Sequence, residues 1–199
     1  MLSENEHLKA IREETDKLPL AVMQTDPLQA RFIAFLASTL RAERVLELGT
    51  FTGHTTLALA LAMPENGRLT TCDISPRWQP IARRHWEAAG MSHKIDFRLR
   101  SASHVLDTLL ANGEAGAFDL VYIDADKDNQ DEYYEKSLKL LGAGGVVMID
   151  NILMGGGSPM FTQTQILAAK SLREKASHDP RVDCSLLPLN DGLLLARKI

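Results

Sequence analysis

Short apolar runs alternate with longer amphipathic stretches along most of this chain. Strand-like runs fall at Arg44–Leu48, Arg68–Cys72, Lys94–Leu99, Phe118–Asp124 and Gly145–Ile149. Helix-length stretches lie between them at Thr55–Ala62, Pro76–Ala89, Val105–Ala111 and Asp131–Leu141. A continuous apolar run such as Leu120-Val121-Tyr122-Ile123 suits a strand covered on both faces. The βαβα alternation predicts a parallel, doubly wound sheet with helices on both faces. Two helical segments, about Glu4–Lys17 and Pro27–Leu40, precede the first strand, and Asp26 before Pro27 reads as an N-cap followed by proline in the first turn. After the fifth strand come a flexible loop at Gly155–Pro159, a helix over about Thr162–Ser177, and two strand-like runs, Val182–Leu187 and Leu193–Arg197. The short joint between the last two, Pro188 to Gly192, predicts an antiparallel hairpin at one end of the sheet. The expected fold is a seven-stranded α/β sandwich, one domain over 1–199, with 1–42 a helical extension or cap.

Composition narrows the classes. At 45% hydrophobic and 24% charged residues, the 199-residue chain is ordinarily globular, not disordered or fibrous. A formal charge of −4 disfavours duplex nucleic acid as a resident partner, although basic residues gather at Arg77, Arg83, Arg84 and at Lys170, Arg173, Lys175. Two distant cysteines, Cys72 and Cys184, make neither a disulfide scaffold nor a zinc ribbon. The longest apolar run, Leu57–Met63, is too short to cross a bilayer, and the first residues lack the pattern of a signal peptide. A soluble, cytoplasmic protein is expected, with no membrane partner.

In open α/β sheets ligands bind beyond the carboxyl ends of the strands, so each strand is read at its last residues. The first ends in Glu47-Leu48-Gly49-Thr50-Phe51-Thr52-Gly53-His54-Thr55. Its two glycines allow a tight turn and a close ligand approach, and a plain strand–turn–helix corner would use them too. The spacing G-x-x-x-G is not the dinucleotide fingerprint G-x-G-x-x-G, which disfavours a nicotinamide dehydrogenase. Asp73 ends the second strand, placed to accept ribose hydroxyls or to cap the helix near Pro76. Small residues after the third strand, Ala102 and Ser103, suit the face of a flat base, and Ser103 serves equally as an N-cap. His54 and His104 lie near the expected pocket. The fourth strand delivers Asp124-Ala125-Asp126-Lys127-Asp128-Asn129 and the fifth Asp150-Asn151. Asp124, Asp150 and Asn151 at neighbouring strand ends make a hard-oxygen set suited to Mg²⁺, with Mn²⁺ or Ca²⁺ as alternatives. Asp124, Asp126, Asp128 and Glu135 also match EF-hand spacing, but Asn129 replaces the required glycine and a strand precedes the loop.

Together these residues resemble the class I S-adenosylmethionine-dependent methyltransferases, whose fold is Rossmann-like. More narrowly they are similar to the divalent-metal-dependent O-methyltransferases of the caffeoyl-CoA and catechol type. The resemblance runs from about Met23 to the C-terminus. It rests on E-L-G-T-F-T-G at 47–53, A-G-M-S-H-K-I-D-F at 89–97, Y-I-D-A-D-K-D-N at 122–129, I-D-N at 149–151, D-P-R-V at 179–182 and D-G-L-L-L-A-R-K at 191–198. It implies that Thr25, Glu47, Gly49, Thr50 and Thr55 surround the methionine part of the cofactor, with Glu47 facing its positive region. It further implies Asp73 on the ribose, Ala102 and Ser103 beside the adenine, and Asp126 in contact with the cofactor. Asp124, Asp150 and Asn151 would be the metal ligands and Lys127 the general base, with Asp124 and Lys127 carrying catalysis. The chain departs from the plant enzymes at Gln130, Met154 and Gly155 and in a shorter loop after Ile152, which speaks against a phenylpropanoid-CoA acceptor.

A phenol with a pKa near 10 is a poor nucleophile at neutral pH, and chelation by a metal would stabilise its anion. The expected reaction is methyl transfer from S-adenosylmethionine to one hydroxyl of a vicinal dihydroxy, catechol-like small molecule. Two other readings stand beside it. A bacterial branch of the family methylates a hydroxylated uridine in tRNA, and the same fold also supports a non-catalytic cofactor- or metal-binding regulator. The resemblance also implies a homodimer.

Overall fold

Both faces of one central sheet are covered by helices, as the alternation predicts. The computed structural model describes residues 4–154 and 161–199, so the loop expected at Gly155–Pro159 lies outside the described residues. The strands are β1 (Arg44–Leu48), β2 (Arg68–Asp73), β3 (Ile95–Leu99), β4 (Phe118–Ile123), β5 (Leu141–Asp150), β6 (Val182–Leu187) and β7 (Leu193–Lys198). Their spatial order is β3-β2-β1-β4-β5-β7-β6. The first five pair in parallel, and β7 runs antiparallel between β5 and β6. The expected terminal hairpin is therefore present, with its second strand as the inner one.

The helices are α1 (Glu6–Thr15), α2 (Pro27–Thr39), α3 (His54–Ala62), α4 (Gln79–Ala88), α5 (Ala102–Ala111), α6 (Gln130–Leu140) and α7 (Gln163–Ser177). Alternation along β4 sorts the core. Val121 and Ile123 pack with Leu106, Tyr134 and Leu172 on one face, while Leu120 and Tyr122 meet Ile33 and Leu59 on the other. Asp26 caps α2 through Oδ1 to the Leu28 and Gln29 amides, with Pro27 at the first helical position. At the far end of α3, the buried ammonium of Lys94 donates to the carbonyls of Ala60 and Met63 at 3.4 and 3.1 Å. A cation at a helix C-terminus satisfies carbonyls that have no partner within the helix.

Three boundaries differ from the pattern by three residues or more, the first being α5, which begins at Ala102 and not at Val105. Helix α4 begins at Gln79 and not at Pro76. Strand β5 starts at Leu141, because Leu141 pairs with Phe118; behind it Gly144 takes φ +79°, and the register shifts before Leu120. No described helix is long and apolar enough to cross a membrane.

Candidate active site

The chain leaves β1 towards β2 and β3, then crosses back to β4, so the ends of β1 and β4 mark the switch point where such sheets bind ligands. A cavity of about 730 Å³ opens there, roofed by the end of α1 and by the segment that leads into α2. Its floor is stitched by backbone. Asp124 N donates to Leu48 O at 2.7 Å, and Gly49 N donates to Cys72 O at 3.0 Å. Gly49 has φ +102°, and a Cβ there would collide with the Asp124 carbonyl, so only glycine lets β1 and β4 end this close. Gly53, φ +85°, opens α3 and leaves its carbonyl to the Trp86 indole at 3.1 Å.

Asp73 accepts the amides of Thr50 and Phe51 through Oδ2, at 3.3 and 2.8 Å, and that of Ser75 through Oδ1 at 2.8 Å. It pins the glycine turn and lines the cavity, and it does not cap α4. The bond to Phe51 holds that residue at φ +48°, a left-handed conformation that a bulky side chain rarely adopts. Ala102 lines the cavity as well, whereas Ser103 does not; the cap of α5 is Ser101. Ser103 instead bonds the hydroxyl of Tyr133, which donates to Asp126 at 2.5 Å.

Glu47 is buried behind the cavity wall and does not line it. Its Oε2 accepts from the hydroxyls of Thr56 and Thr71 at 2.5 and 2.6 Å, and Thr71 meets the cavity-lining Thr50 hydroxyl at 2.6 Å. Glu47 thus reaches the cavity only through a hydroxyl relay. Burial pushes its carboxyl up to about 8 against the two hydroxyl bonds, and Oε1 has no partner among the described residues.

At the β4 and β5 ends, Asp124, Lys127, Asp150 and Asn151 all face the cavity, with Thr25 across from them. Lys127 Nζ donates to Asp124 Oδ1 at 2.7 Å. Asp150 takes the Tyr122 hydroxyl at 2.8 Å and the Asn151 amide at 2.7 Å, and Asn151 sits at φ +56°, a region asparagine tolerates. Burial raises the Asp124 carboxyl to about 6; Lys127 opposes this and the Asp150 charge adds to it. Among the described residues no three His, Cys, Asp or Glu side chains form a metal cluster. The candidate set is two carboxylates and an amide oxygen, and two carboxylates that repel one another beside an amide oxygen fit a hard divalent cation. Helix α6 takes Glu135 away from the acidic run to pair with Arg181 and Lys175, which removes the EF-hand spacing.

Several lining residues had no local motif to reveal them, among them Asp16, Gln24, Gln29, Phe161 and Asn190, and Asp191 lay in a motif that assigned it no role. They come from the roof, from Phe161 just before α7 and from the β6–β7 turn, and only the Asp26-Pro27 cap and the short hairpin joint hinted at where the roof and that turn fold. His54 does line the cavity. It is 4% exposed, neither ring nitrogen has a described partner, and burial lowers its pKa to about 4. His104 faces a separate hollow of about 320 Å³ with Arg98 and Arg100.

The O-methyltransferase family model matches residues 2–199. The mouse protein catechol O-methyltransferase domain-containing protein 1 is 42% identical over 200 residues, covering 100% of this chain and 76% of that one. Caffeoyl-CoA O-methyltransferase of Stellaria longipes is 34% identical over 98% of this chain and 85% of its own. Among solved structures, the O-methyltransferase TomG of Streptomyces achromogenes, involved in tomaymycin synthesis and crystallised with SAM, superposes with a TM-score of 0.87 at 28% identity, over 100% of this chain and 92% of that one.

Proposed function

The chain belongs to the O-methyltransferase family, and from that premise we propose that it carries a methyl group from S-adenosylmethionine to one hydroxyl of a vicinal dihydroxy small molecule, assisted by a divalent cation. It is an S-adenosylmethionine-dependent enzyme of the caffeoyl-CoA and catechol type. The observation that carries the finer reading is the pairing of Asp124 and Asp150 at adjacent strand ends, with Lys127 Nζ 2.7 Å from Asp124.

Gly49, Thr50, Thr55 and Thr25 line the part of the cavity that would take the methionine moiety, with Glu47 acting behind Thr71 and Thr50. Asp73 and Ala102 line the part that would take the ribose and adenine, and Asp126 closes that side. Ser103 supports Asp126 through Tyr133. Asp124, Asp150 and Asn151 would hold the cation, most simply Mg²⁺, which when bound lowers the pKa of a chelated phenol. Lys127 would accept the phenolic proton at Nζ once its ammonium has released a proton to solvent; as the ammonium paired with Asp124 it neutralises the acidic rim. The sulfonium already carries a good leaving group, so the main task of the chain is in-line placement of oxygen, methyl and sulfur.

The test is methyl transfer from S-adenosylmethionine to a panel of catechols, with Mg²⁺ and with a chelator. Product that needs the metal supports the reading, and product indifferent to the chelator overturns the metal's part in it. Lys127→Arg separates the two roles of the lysine, because it keeps the charge and cannot serve as a base: a base is worth about a hundredfold in kcat, and unchanged turnover leaves only charge neutralisation.

A further inference from the structure

Resting on the function proposed above, we infer that the acceptor end of the cavity selects catechols whose side arm is cationic, through the carboxylates of Asp26 and Asp191. It disfavours carboxylate-bearing and phosphate-bearing acceptors.

The wall concerned is built where two distant segments meet. Asn190 Nδ2 donates to the buried Gln29 Oε1 at 3.1 Å, tying the first turn of α2 to the β6–β7 turn. Asp26 precedes that turn of α2 and Asp191 follows Asn190, so the two acids flank the bridge, and both line the cavity. The carbonyl of Asp191 takes the amides of Leu153 and Met154 at 2.7 and 3.3 Å, which fixes the residue beside the chain leaving Asp150 and Asn151. Leu193, two residues on, pairs with Asp150 in the sheet. The bridge therefore adjoins the proposed metal site. Val22, Met23 and Phe161 line the same cavity with apolar surface on which an aromatic ring can rest.

Charge decides what can sit there. Neither Asp26 nor Asp191 is ion-paired among the described residues; Asp26 spends Oδ1 on two backbone amides, and Oδ2 has no described partner. The bases that line the cavity are committed or remote. Lys127 is paired with Asp124, buried His54 is held neutral at pH 7, and Arg100 stands with Ala102 and Ile74 at the adenosine side. Arg173 lies behind the wall, donating to the carbonyls of Ile152 and Leu153, and does not line the cavity. Arg31, further along α2, has a partner of its own and is not a lining residue either. The sequence from 155 to 160, Gly-Gly-Gly-Ser-Pro-Met, brings no ionisable side chain. A divalent cation held by Asp124 and Asp150 would balance those two acids and leave the single charge of Lys127 there, against the two carboxylates of Asp26 and Asp191 that face the acceptor's arm.

A coenzyme A thioester or an RNA backbone would need several Lys or Arg side chains here. The basic clusters noted in the sequence do not supply them. Arg77 stacks on Trp78, Arg84 pairs with Glu14, and Lys175 pairs with Asp131 and Glu135.

The experiment compares three catechols of matched size, with a neutral, an aminoethyl and a carboxyethyl arm, as kcat/KM at pH 7 with S-adenosylmethionine and Mg²⁺. Two carboxylates in a half-open cavity should favour the amine over the acid by at least about tenfold, chiefly in KM, and less at high salt. Asp191→Asn and Asp26→Asn should each shrink that ratio several-fold; asparagine retains the cap of α2, so the second variant keeps its fold. An acid that matches the amine, a ratio unmoved in both variants, or a coenzyme A thioester that outruns the neutral catechol overturns the inference alone. Methylation of none of the three overturns the proposed function as well.

Discussion

Two groups of acids in this chain are treated in opposite ways. Behind the sheet, Glu135 and Asp179 are saturated: Arg181 bridges both, Lys175 adds to Glu135, and the Tyr134 hydroxyl donates to Asp179 at 3.0 Å. Hydrogen bonds from Arg181 hold Glu135 down at about 2 and Asp179 well below the usual carboxylate range. At the sheet's carboxyl edge, Asp124 and Asp150 share one lysine, two hydroxyls and a backbone amide, and Asp124 rises to about 6. The first group ties α6 to the start of β6 and gains stability from its charges. The second keeps charge that the fold does not neutralise, which is the condition for binding a cation or a positively charged acceptor. One chain thus saturates its carboxylates in one place and leaves them short of partners in another.

The largest expected effect breaks that contrast at the site. Asp150→Asn keeps the shape, and the Tyr122 hydroxyl can turn to accept from the new amide. We expect kcat/KM to fall by about a hundredfold to a thousandfold, as when an oxygen ligand of a catalytic metal loses its charge. Thermal stability should hold or rise, because a charge repelled by Asp124 is gone. A Tm that falls by several degrees would place Asp150 with the structural acids instead.

How much of this was legible follows the same division. Residues that close onto their own strand end are readable: Gly49, Asp73, Asp124, Asp150 and Asn151 all line the cavity, because the turn after each strand delivers them there. Residues whose position depends on packing between distant segments are not. Glu47 sits in the E-x-G pattern at the end of β1, yet Thr56 and Thr71 draw its side chain behind the wall. Ser103 faces Tyr133 because the helix begins two residues earlier, at the cap Ser101. The Gln29–Asn190 bridge joins residues far apart in sequence, and no local period encodes it.

A second effect sharpens the comparison with two buried groups that titrate in opposite senses. His54, near 6.5 when unfolded and about 4 when folded, lets the unfolded chain bind the proton first, so stability is lost as pH falls through that window. Glu47, near 4.5 unfolded and about 8 folded, lets the folded chain keep its proton, so stability is lost as pH rises from about 4.5 to 8. Between about 4.5 and 6.5 the two slopes oppose. His54→Leu should remove the acid-side loss, worth at most about 3 kcal/mol. Glu47→Gln should remove the alkaline-side loss. The difference in urea midpoint between each variant and the parent, followed from pH 5 to 8, reads this directly. A parallel pair of profiles would show that neither group is perturbed.

The smallest effect tests the saturated acids. Arg181→Met keeps most of the aliphatic stem and removes the charged guanidinium, leaving Asp179 with Tyr134 and Glu135 with Lys175. Arg181 is about half exposed, so solvent screens its pairs and the loss at pH 7 should be about 1 kcal/mol, with methyl transfer unchanged because no part of this network lines the cavity. Sign follows from the direction of the shifts. Both carboxylates are lowered in the folded chain, so their contribution is complete above their unfolded pKa values near 4 and disappears as pH falls towards 2. The stability gap between parent and Arg181→Met should therefore be constant from pH 8 to 5 and close below about pH 4. A gap that persists in acid would mean that the arginine stem's packing, and not its charge, ties α6 to β6.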